Sequence, residues 1–106
     1  MNRDRLKAAV KDNRIEWQRH ALERMMERGI SRETAKNVLL SGELIEDYPN
    51  DEPYPSALLL GWVDKEPFHV VTAFDPVTVY CFIITVYKTD SEHFESDYKT
   101  RRQHGS

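Results

Sequence analysis

The sequence predicts an α+β fold in which N-terminal helices pack on a three- to four-stranded antiparallel sheet. Before Gly42, apolar residues recur three and four positions apart, as they do on one face of a helix. After Gly42, residues alternate or form short runs rich in β-branched and aromatic side chains, which is typical of strands. Because the helices precede the strands rather than alternating with them, the order favours α+β over α/β.

Helical spacing and end signals define the first part of the chain. Gly29 is expected to end the second helix, and Ser31 is a good N-cap for the third. Between the first two helices, Ile15–Trp17 is predicted to be a short extended bridge. The predicted helices cover residues 2–12, about 18–28, and the stretch from Ser31 to Gly42.

Turn residues divide the second part of the chain into strands. Three prolines make residues 49–55 a loop, and short turns between the last three strands predict a meander. His69 is expected on the face opposite Phe68, and Tyr87 on the same face as Ile83. The predicted strands are Glu43–Tyr48, Ala57–Val63, Phe68–Phe74 and Val79–Tyr87.

Length and composition predict a single folded domain. The chain has 106 residues, of which 40% are hydrophobic and 31% charged. We expect one domain over residues 1–106, with a core at about 14–95 and a polar, frayed tail at 96–106. The charged start lacks the apolar segment of a secretory signal, and no apolar run reaches the roughly 20 residues of a membrane span. A cytoplasmic protein without membrane contact is therefore expected.

The charge distribution is more informative than the total. A net charge of -3 argues against a general nucleic-acid coat protein. Residues 1–28 nevertheless carry eight Lys or Arg and five Asp or Glu, whereas residues 43–66 carry one and seven. The basic part allows local anion binding. The acidic stretch at 46–53 is either a solvated loop or a contact for a basic partner.

A stripe of ionisable side chains marks the second predicted helix. His20, Arg24 and Arg28 follow at intervals of four residues and so share one helix face. Two arginines at this spacing repel each other, which helix stability does not favour. A phosphodiester would favour it, because guanidinium groups bind phosphate through two hydrogen bonds and imidazole transfers protons near neutral pH. The alternative is a solvated face on which Glu23 and Glu27 neutralise the arginines.

The remaining candidates each have a structural and a functional interpretation. His69 in its strand is either a structural histidine or a ligand contact, and Tyr87 at a strand end either packs or meets a ligand. Arg101 and Arg102 either contact phosphate or belong to a solvated tail. Cys81, the one cysteine, is predicted to be a buried packing residue rather than a nucleophile. The four histidines lack helix-face ligand spacing, so no metal and no cofactor is expected.

Several motifs have the order and spacing of a known family. They are His20-Ala-x-x-Arg24-Met-x-x-Arg28-Gly-Ile-Ser31, Val38-Leu39, Gly42-Glu43-Leu-Ile-Glu-Asp-Tyr48-Pro, Pro53-Tyr-Pro-Ser56, Leu58-Leu-Leu-Gly61, Phe68-His69-Val-Val and Ile84-Thr-Val-Tyr87. Over roughly residues 14–102 the chain resembles the bacterial domain-of-unknown-function family 4258. That family looks like a distant relative of the RelE-, BrnT- and MqsR-type toxins, which are small ribonucleases. The resemblance implies a compact α+β fold and a cognate antitoxin of the MqsA zinc-finger type, but it assigns no residue a role.

These observations predict the toxin of a type II toxin-antitoxin system, a metal-independent endoribonuclease that cleaves RNA through 2′-hydroxyl attack. The reaction requires a base, an acid and positive charge around the phosphorane. His20 is predicted to be the acid or base, Arg24 to stabilise the phosphate, and Tyr87 to position it or share the proton transfer. Further phosphate or RNA contacts are predicted from Arg28, His69, Arg101 and Arg102. The alternative is a non-catalytic module whose basic helix docks an acidic protein partner.

Overall fold

A computed structural model describes residues 1–89 and 97–101, and it confirms the α+β class. Residues 90–96 and 102–106, including the predicted contact Arg102, lie outside the described residues. Within the described part, no helix is long and apolar enough to cross a membrane. The described elements are α1 (Arg3–Lys11), β1 (Ile15–Trp17), α2 (Arg19–Arg28), α3 (Arg32–Ser41), β2 (Glu43–Tyr48), β3 (Ser56–Val63), β4 (Glu66–Asp75) and β5 (Tyr80–Lys88).

The helices begin and end where local side-chain chemistry favours it. The Asn2 side chain accepts a hydrogen bond from the backbone N–H of Arg5 at the start of α1. The Ser31 side chain accepts one from Thr34 at the start of α3, which confirms the predicted cap. Gly29 ends α2 in the left-handed conformation, with φ of 68°. The end of α2 at Gly29 determines where the C-terminal turn of this helix, which carries Arg28, meets the sheet.

The sheet corrects the predicted topology. Among the described residues it has five strands in the order β1-β5-β4-β3-β2, and β1 pairs with β5 in parallel while the other neighbours are antiparallel. The predicted three- to four-stranded antiparallel sheet is therefore wrong in strand number and in being purely antiparallel. The difference comes from Ile15–Trp17, which pairs with Cys81–Ile83. A strand of three residues, whose partner lies far along the chain, has no sequence pattern nearby that would indicate the pairing.

The helices cover one face of the sheet, which we call the inner face. Leu59, Val70 and Val86 belong to the core cluster that includes the buried residues of the helices. A Cβ added to Gly61 would lie 2.8 Å from Cγ2 of Val38, so glycine lets α3 approach β3 closely. The opposite, outer face carries Leu58, Leu60, His69, Val71 and Tyr87, as the strand register shows.

A β-bulge in β5 determines the direction of Tyr87. Val71 pairs with Thr85, but the next residue of β4 pairs with Ile83, so Ile84 is an extra residue in β5. Ile83 belongs to the inner-face core, whereas Tyr87 stands opposite His69 on the outer face. The predicted shared face of Tyr87 and Ile83 is therefore wrong. The prediction was wrong because it assumed that side chains alternate strictly between the two faces of the sheet, which the bulge interrupts.

Candidate functional site

An open cleft lies where β5 ends and β4 begins, against the C-terminal end of α2. Its volume is about 400 Å³. We call it the Tyr87 cleft, because this half-buried tyrosine is the predicted catalytic residue that lines it. The lining residues are Arg28, Gly29, Ile30, Glu66, Phe68, Tyr87 and Lys88.

Arg28 is held at the cleft by a backbone contact. Its Nη1 donates a hydrogen bond of 2.9 Å to the carbonyl oxygen of Val86. β1 pairs with β5 only as far as Ile83, so Val86 lies beyond the end of that pairing, where the side chain of Arg28 reaches the strand. A guanidinium has five N–H donors, so this one bond orients the group and is compatible with anion binding.

A second cation, Lys88, lines the same cleft. Its Nζ lies 2.8 Å from Oε1 of Glu66, and both side chains are about half exposed. Together with Arg28 these groups give the cleft a formal excess of one positive charge. An incoming phosphate would compete with Glu66 for Lys88. The cleft is therefore suited to a singly charged anion such as a phosphodiester.

Tyr87 is hydrogen-bonded to a fully buried histidine. Its hydroxyl lies 3.1 Å from Nδ1 of His69, whose Nε2 lies 2.8 Å from the backbone carbonyl oxygen of Tyr98. A carbonyl only accepts, so Nε2 carries a proton; in neutral histidine Nδ1 is then the acceptor for the Tyr87 hydroxyl. The arrangement gives Tyr87 a neighbouring proton acceptor whose orientation is fixed by the backbone.

The stripe on α2 reaches the cleft through Arg28. His20 and Arg24 are exposed and are not among the residues that line the cleft. Arg24 forms an ion pair of 3.0 Å with Glu27. The structure thus brings Arg28 and Tyr87 to one cleft, with the buried His69 in contact with Tyr87. His20 and Arg24 extend away from the cleft along the surface of the helix.

Arg101 is engaged with a carboxylate on the far side of the sheet. Its Nε and Nη2 donate hydrogen bonds of 2.7 and 3.0 Å to the two carboxylate oxygens of Glu46 on β2. This pairing holds the pKa of Glu46 below its usual value and raises the pKa of Arg101. Arg101 does not line the Tyr87 cleft.

The comparison with known families agrees with the motifs in the sequence. The model of a family described as a domain of unknown function (DUF4258) matches residues 17–88, which is more than half of the chain. The chain belongs to the DUF4258 family. No curated protein and no solved structure matches this DUF4258 protein.

Cys81 of the DUF4258 protein is fully buried in the inner-face core. Burial raises the pKa of its thiol to about 11, so at neutral pH the group stays protonated. These facts agree with the predicted packing role. Among residues 1–89 and 97–101, no group of three His, Cys, Asp or Glu side chains is placed to hold a metal ion.

Sequence reasoning missed three contributors to the site. Lys88 and Glu66 were not singled out, and neither was Tyr98, whose carbonyl contacts His69. The signal for the first two was the meander: antiparallel pairing of Phe68 with Lys88 brings the start of β4 beside the end of β5. A backbone carbonyl from a distant segment leaves no such signal.

A separate apolar groove of about 310 Å³ lies on α2 and the start of α3. The Met26 side chain on its wall is 80% exposed, which is high for a large apolar residue. The guanidinium of Arg32 lies 5.7 Å from the centre of the Trp17 ring, a cation–π distance. The lining residues are Leu22, Met25, Met26, Ile30 and Arg32.

Proposed function

We propose that this protein is a metal-independent endoribonuclease of the toxin type, which cleaves RNA at the Tyr87 cleft. One observation carries the proposal. A cleft with two cations, Arg28 and Lys88, is lined by a tyrosine whose hydroxyl is hydrogen-bonded to the oriented, buried His69. Phosphate binding and proton transfer are the two requirements of the reaction, and these residues supply both.

The cations bind the scissile phosphate. Arg28 is oriented by Val86 and presents a planar donor group, which matches two phosphate oxygens. Lys88 adds a point charge once the phosphate replaces Glu66 beside it. Positive charge at this position stabilises the extra negative charge of the phosphorane more than that of the ground state, which lowers the barrier.

The Tyr87–His69 pair removes the proton from the nucleophile. The Tyr87 hydroxyl passes its proton to Nδ1 of His69 and accepts the proton of the RNA 2′-hydroxyl. The 2′-oxygen forms a bond to phosphorus, and the bond from phosphorus to the 5′-oxygen breaks. The 5′-oxygen takes up a proton from water, leaving a 2′,3′-cyclic phosphate on one product and a 5′-hydroxyl on the other. The hydroxide that remains takes the proton that His69 gained, which returns through Tyr87.

The α2 stripe extends the RNA-binding surface in this proposal. Arg24 and His20 stand one and two turns before Arg28, about 6 and 12 Å along the helix axis. A strand leaving the cleft along α2 would therefore pass both side chains. The role of His20 as the acid or base of the reaction stays a prediction.

The reaction is tested with purified protein and a labelled RNA beside its 2′-methoxy analogue, with and without added ribosomes. We expect cleavage of the RNA alone, products with a 2′,3′-cyclic phosphate or 3′-phosphate, and no effect of a chelator. Equal cleavage of both substrates would contradict 2′-hydroxyl attack. A folded protein that cleaves neither substrate under any condition would contradict the proposed activity.

A toxin requires a neutralising partner, and we propose a cognate antitoxin of the MqsA zinc-finger type. Support comes from the charge asymmetry of the chain. The likeness of the DUF4258 family to toxin families stays an expectation from the sequence motifs. Induced expression should arrest growth and degrade RNA, and co-expression with the product of the adjacent gene should restore growth through a stable complex. Normal growth at high levels of folded protein would count against the toxin role.

The apolar groove on α2 favours a second candidate function, a non-catalytic module that docks an acidic partner protein. Met26 would supply the apolar contact and Arg32 a charged one. Met26→Lys should then abolish co-purification with the partner, and the folded wild-type protein should cleave no RNA. RNA cleavage by the wild-type protein, or unchanged co-purification of Met26→Lys, would count against this candidate.

A further inference from the structure

Residues 97–101, which we call the C-terminal strap, lie against the outer face of the sheet. Tyr98 contacts the sheet twice. Its ring packs edge-on against Trp62, with centroids 5.8 Å apart, and its carbonyl oxygen lies 2.8 Å from Nε2 of His69. We propose that the strap is a positioning element, which fixes the protonated nitrogen of His69 and so presents Nδ1 to Tyr87 as an acceptor.

Ion pairs between the C-terminal strap and β2 hold the strap in place on the sheet. Arg101 forms two charge-assisted hydrogen bonds to Glu46, whose side chain is 20% exposed, and Lys99 lies 3.2 Å from Glu43. The bidentate pair fixes both the position and the angle of the guanidinium, whereas the lysine pair fixes distance alone. We therefore assign the main anchoring role to the pair of Arg101 and Glu46.

The strap also holds its own shape. The carboxylate of Asp97 accepts hydrogen bonds from the backbone N–H groups of Lys99 and Thr100 and from the Thr100 hydroxyl. This turn directs the chain from Tyr98 towards the anchor at Arg101. The carbonyl of Tyr98 is thus placed by contacts on both sides of it in the sequence.

Docking of the strap has a chemical consequence at the proposed active site. With a carbonyl at Nε2, the proton of a neutral imidazole must lie there, because a proton on Nδ1 would set two acceptors, Nε2 and the carbonyl, against each other. Without the carbonyl, both tautomers of His69 become accessible, and the one protonated at Nδ1 cannot accept from Tyr87. The consequence for catalysis rests on the proposed function, whereas the protonation state does not.

Nuclear magnetic resonance of the ¹⁵N-labelled full chain measures this state without RNA. In the wild-type protein we expect a protonated Nε2 and an unprotonated Nδ1 on His69, with slow exchange of the Nε2 proton. Arg101→Gln should accelerate that exchange by about three- to tenfold, the effect of a partly exposed, bidentate ion pair. Trp62→Ala, which removes the ring against Tyr98, should also accelerate it.

Two variants separate positioning from general destabilisation. The charge-exchange variant Glu46→Arg/Arg101→Glu should restore slow exchange. Lys36→Gln removes a surface ion pair of α3, in which Nζ lies 3.8 Å from Glu33, and should leave exchange unchanged. Unchanged exchange in Arg101→Gln and Trp62→Ala would overturn the proposal, as would equal acceleration in Lys36→Gln. A protonated Nε2 in a protein that cleaves no RNA would uphold the strap and overturn the proposed function.

Discussion

The hydroxyl of Tyr87 lies 3.1 Å from Nδ1 of His69, and their rings meet edge-on at a centroid distance of 5.3 Å. The two residues face each other because β4 and β5 pair them directly, and because the bulge at Ile84 turns Tyr87 to the outer face. A bulge beside a candidate catalytic residue is a known way in which a sheet redirects a side chain. The site thus depends on strand register as much as on residue type.

The anchored guanidinium of Arg28 gives a contrast between two arginines of one helix. Arg28→Lys should weaken binding of a non-cleavable 2′-methoxy RNA by roughly tenfold, about 1.4 kcal/mol, because a point charge cannot reproduce two parallel hydrogen bonds. Arg24→Lys, one turn away and paired with Glu27, should weaken it less. Fluorescence anisotropy measures both, and an equal loss would assign the two arginines equal roles.

Removing the carboxylate that competes for Lys88 should improve binding. Glu66→Gln keeps the size of the side chain but frees the ammonium group, so the same RNA should bind about two- to fivefold more tightly at low salt. The gain should shrink as salt rises. The matched control is Glu33→Gln, which frees Lys36 on α3 and should leave RNA binding unchanged. Weaker binding in Glu66→Gln would show that Glu66 assists the ligand rather than competing with it.

Close contact between α3 and the sheet makes Gly42 sensitive to substitution. A Cβ at Gly42 would clash with the carbonyl oxygen of Val38 and would lie 2.7 Å from that of Leu60, and neither of these two backbone segments can yield easily. Gly42→Ala should therefore lower the free energy of unfolding by about 3 kcal/mol. Gly29→Ala has open space and should cost only about 1 kcal/mol, for its positive φ. Urea denaturation measures the free energy of unfolding of both variants. A larger decrease in Gly29→Ala than in Gly42→Ala would contradict the prediction.

Burial protects the thiol of Cys81 from reaction. Its pKa is raised from 9.0 to about 11, so at pH 8 the folded protein should hold about a hundredfold less thiolate than the unfolded chain. Because the folded pKa is raised, the thiol's contribution to stability is complete below pH 9 and is lost as pH rises towards 11. Alkylation followed by mass spectrometry checks the first statement. Equal rates for native and urea-unfolded protein at pH 8 would contradict it.

The local elements could be predicted because their signals are local. Helix ends at Gly29 and Ser31 follow from backbone freedom and side-chain capping, and both are confirmed. The four longer strands follow from composition and turn residues. The parallel pairing of Ile15–Trp17 with β5 could not be predicted, because three residues cannot specify a partner so distant in the chain.

The candidate site was harder to predict than the fold. Residue type points to Arg28 and His69, and a place at a strand end points to Tyr87, but no sequence pattern connects the three. Tyr87 meets His69 through the β4–β5 register and the bulge at Ile84, and Arg28 reaches the same end of β5 from the C-terminal end of α2. The carbonyl of Tyr98 is invisible to motif reasoning, since every residue has one.

The cleavage rate of Tyr87→Phe, measured in a single turnover on labelled RNA, tests the central claim most directly. Losing the hydroxyl should reduce the rate by about 10²–10⁴-fold, because the proton path to His69 is broken while the ring stays in place. Tyr80→Phe on the same strand is the matched control and should cleave at the wild-type rate. A Tyr87→Phe protein that is folded and cleaves as fast as Tyr80→Phe would contradict the account.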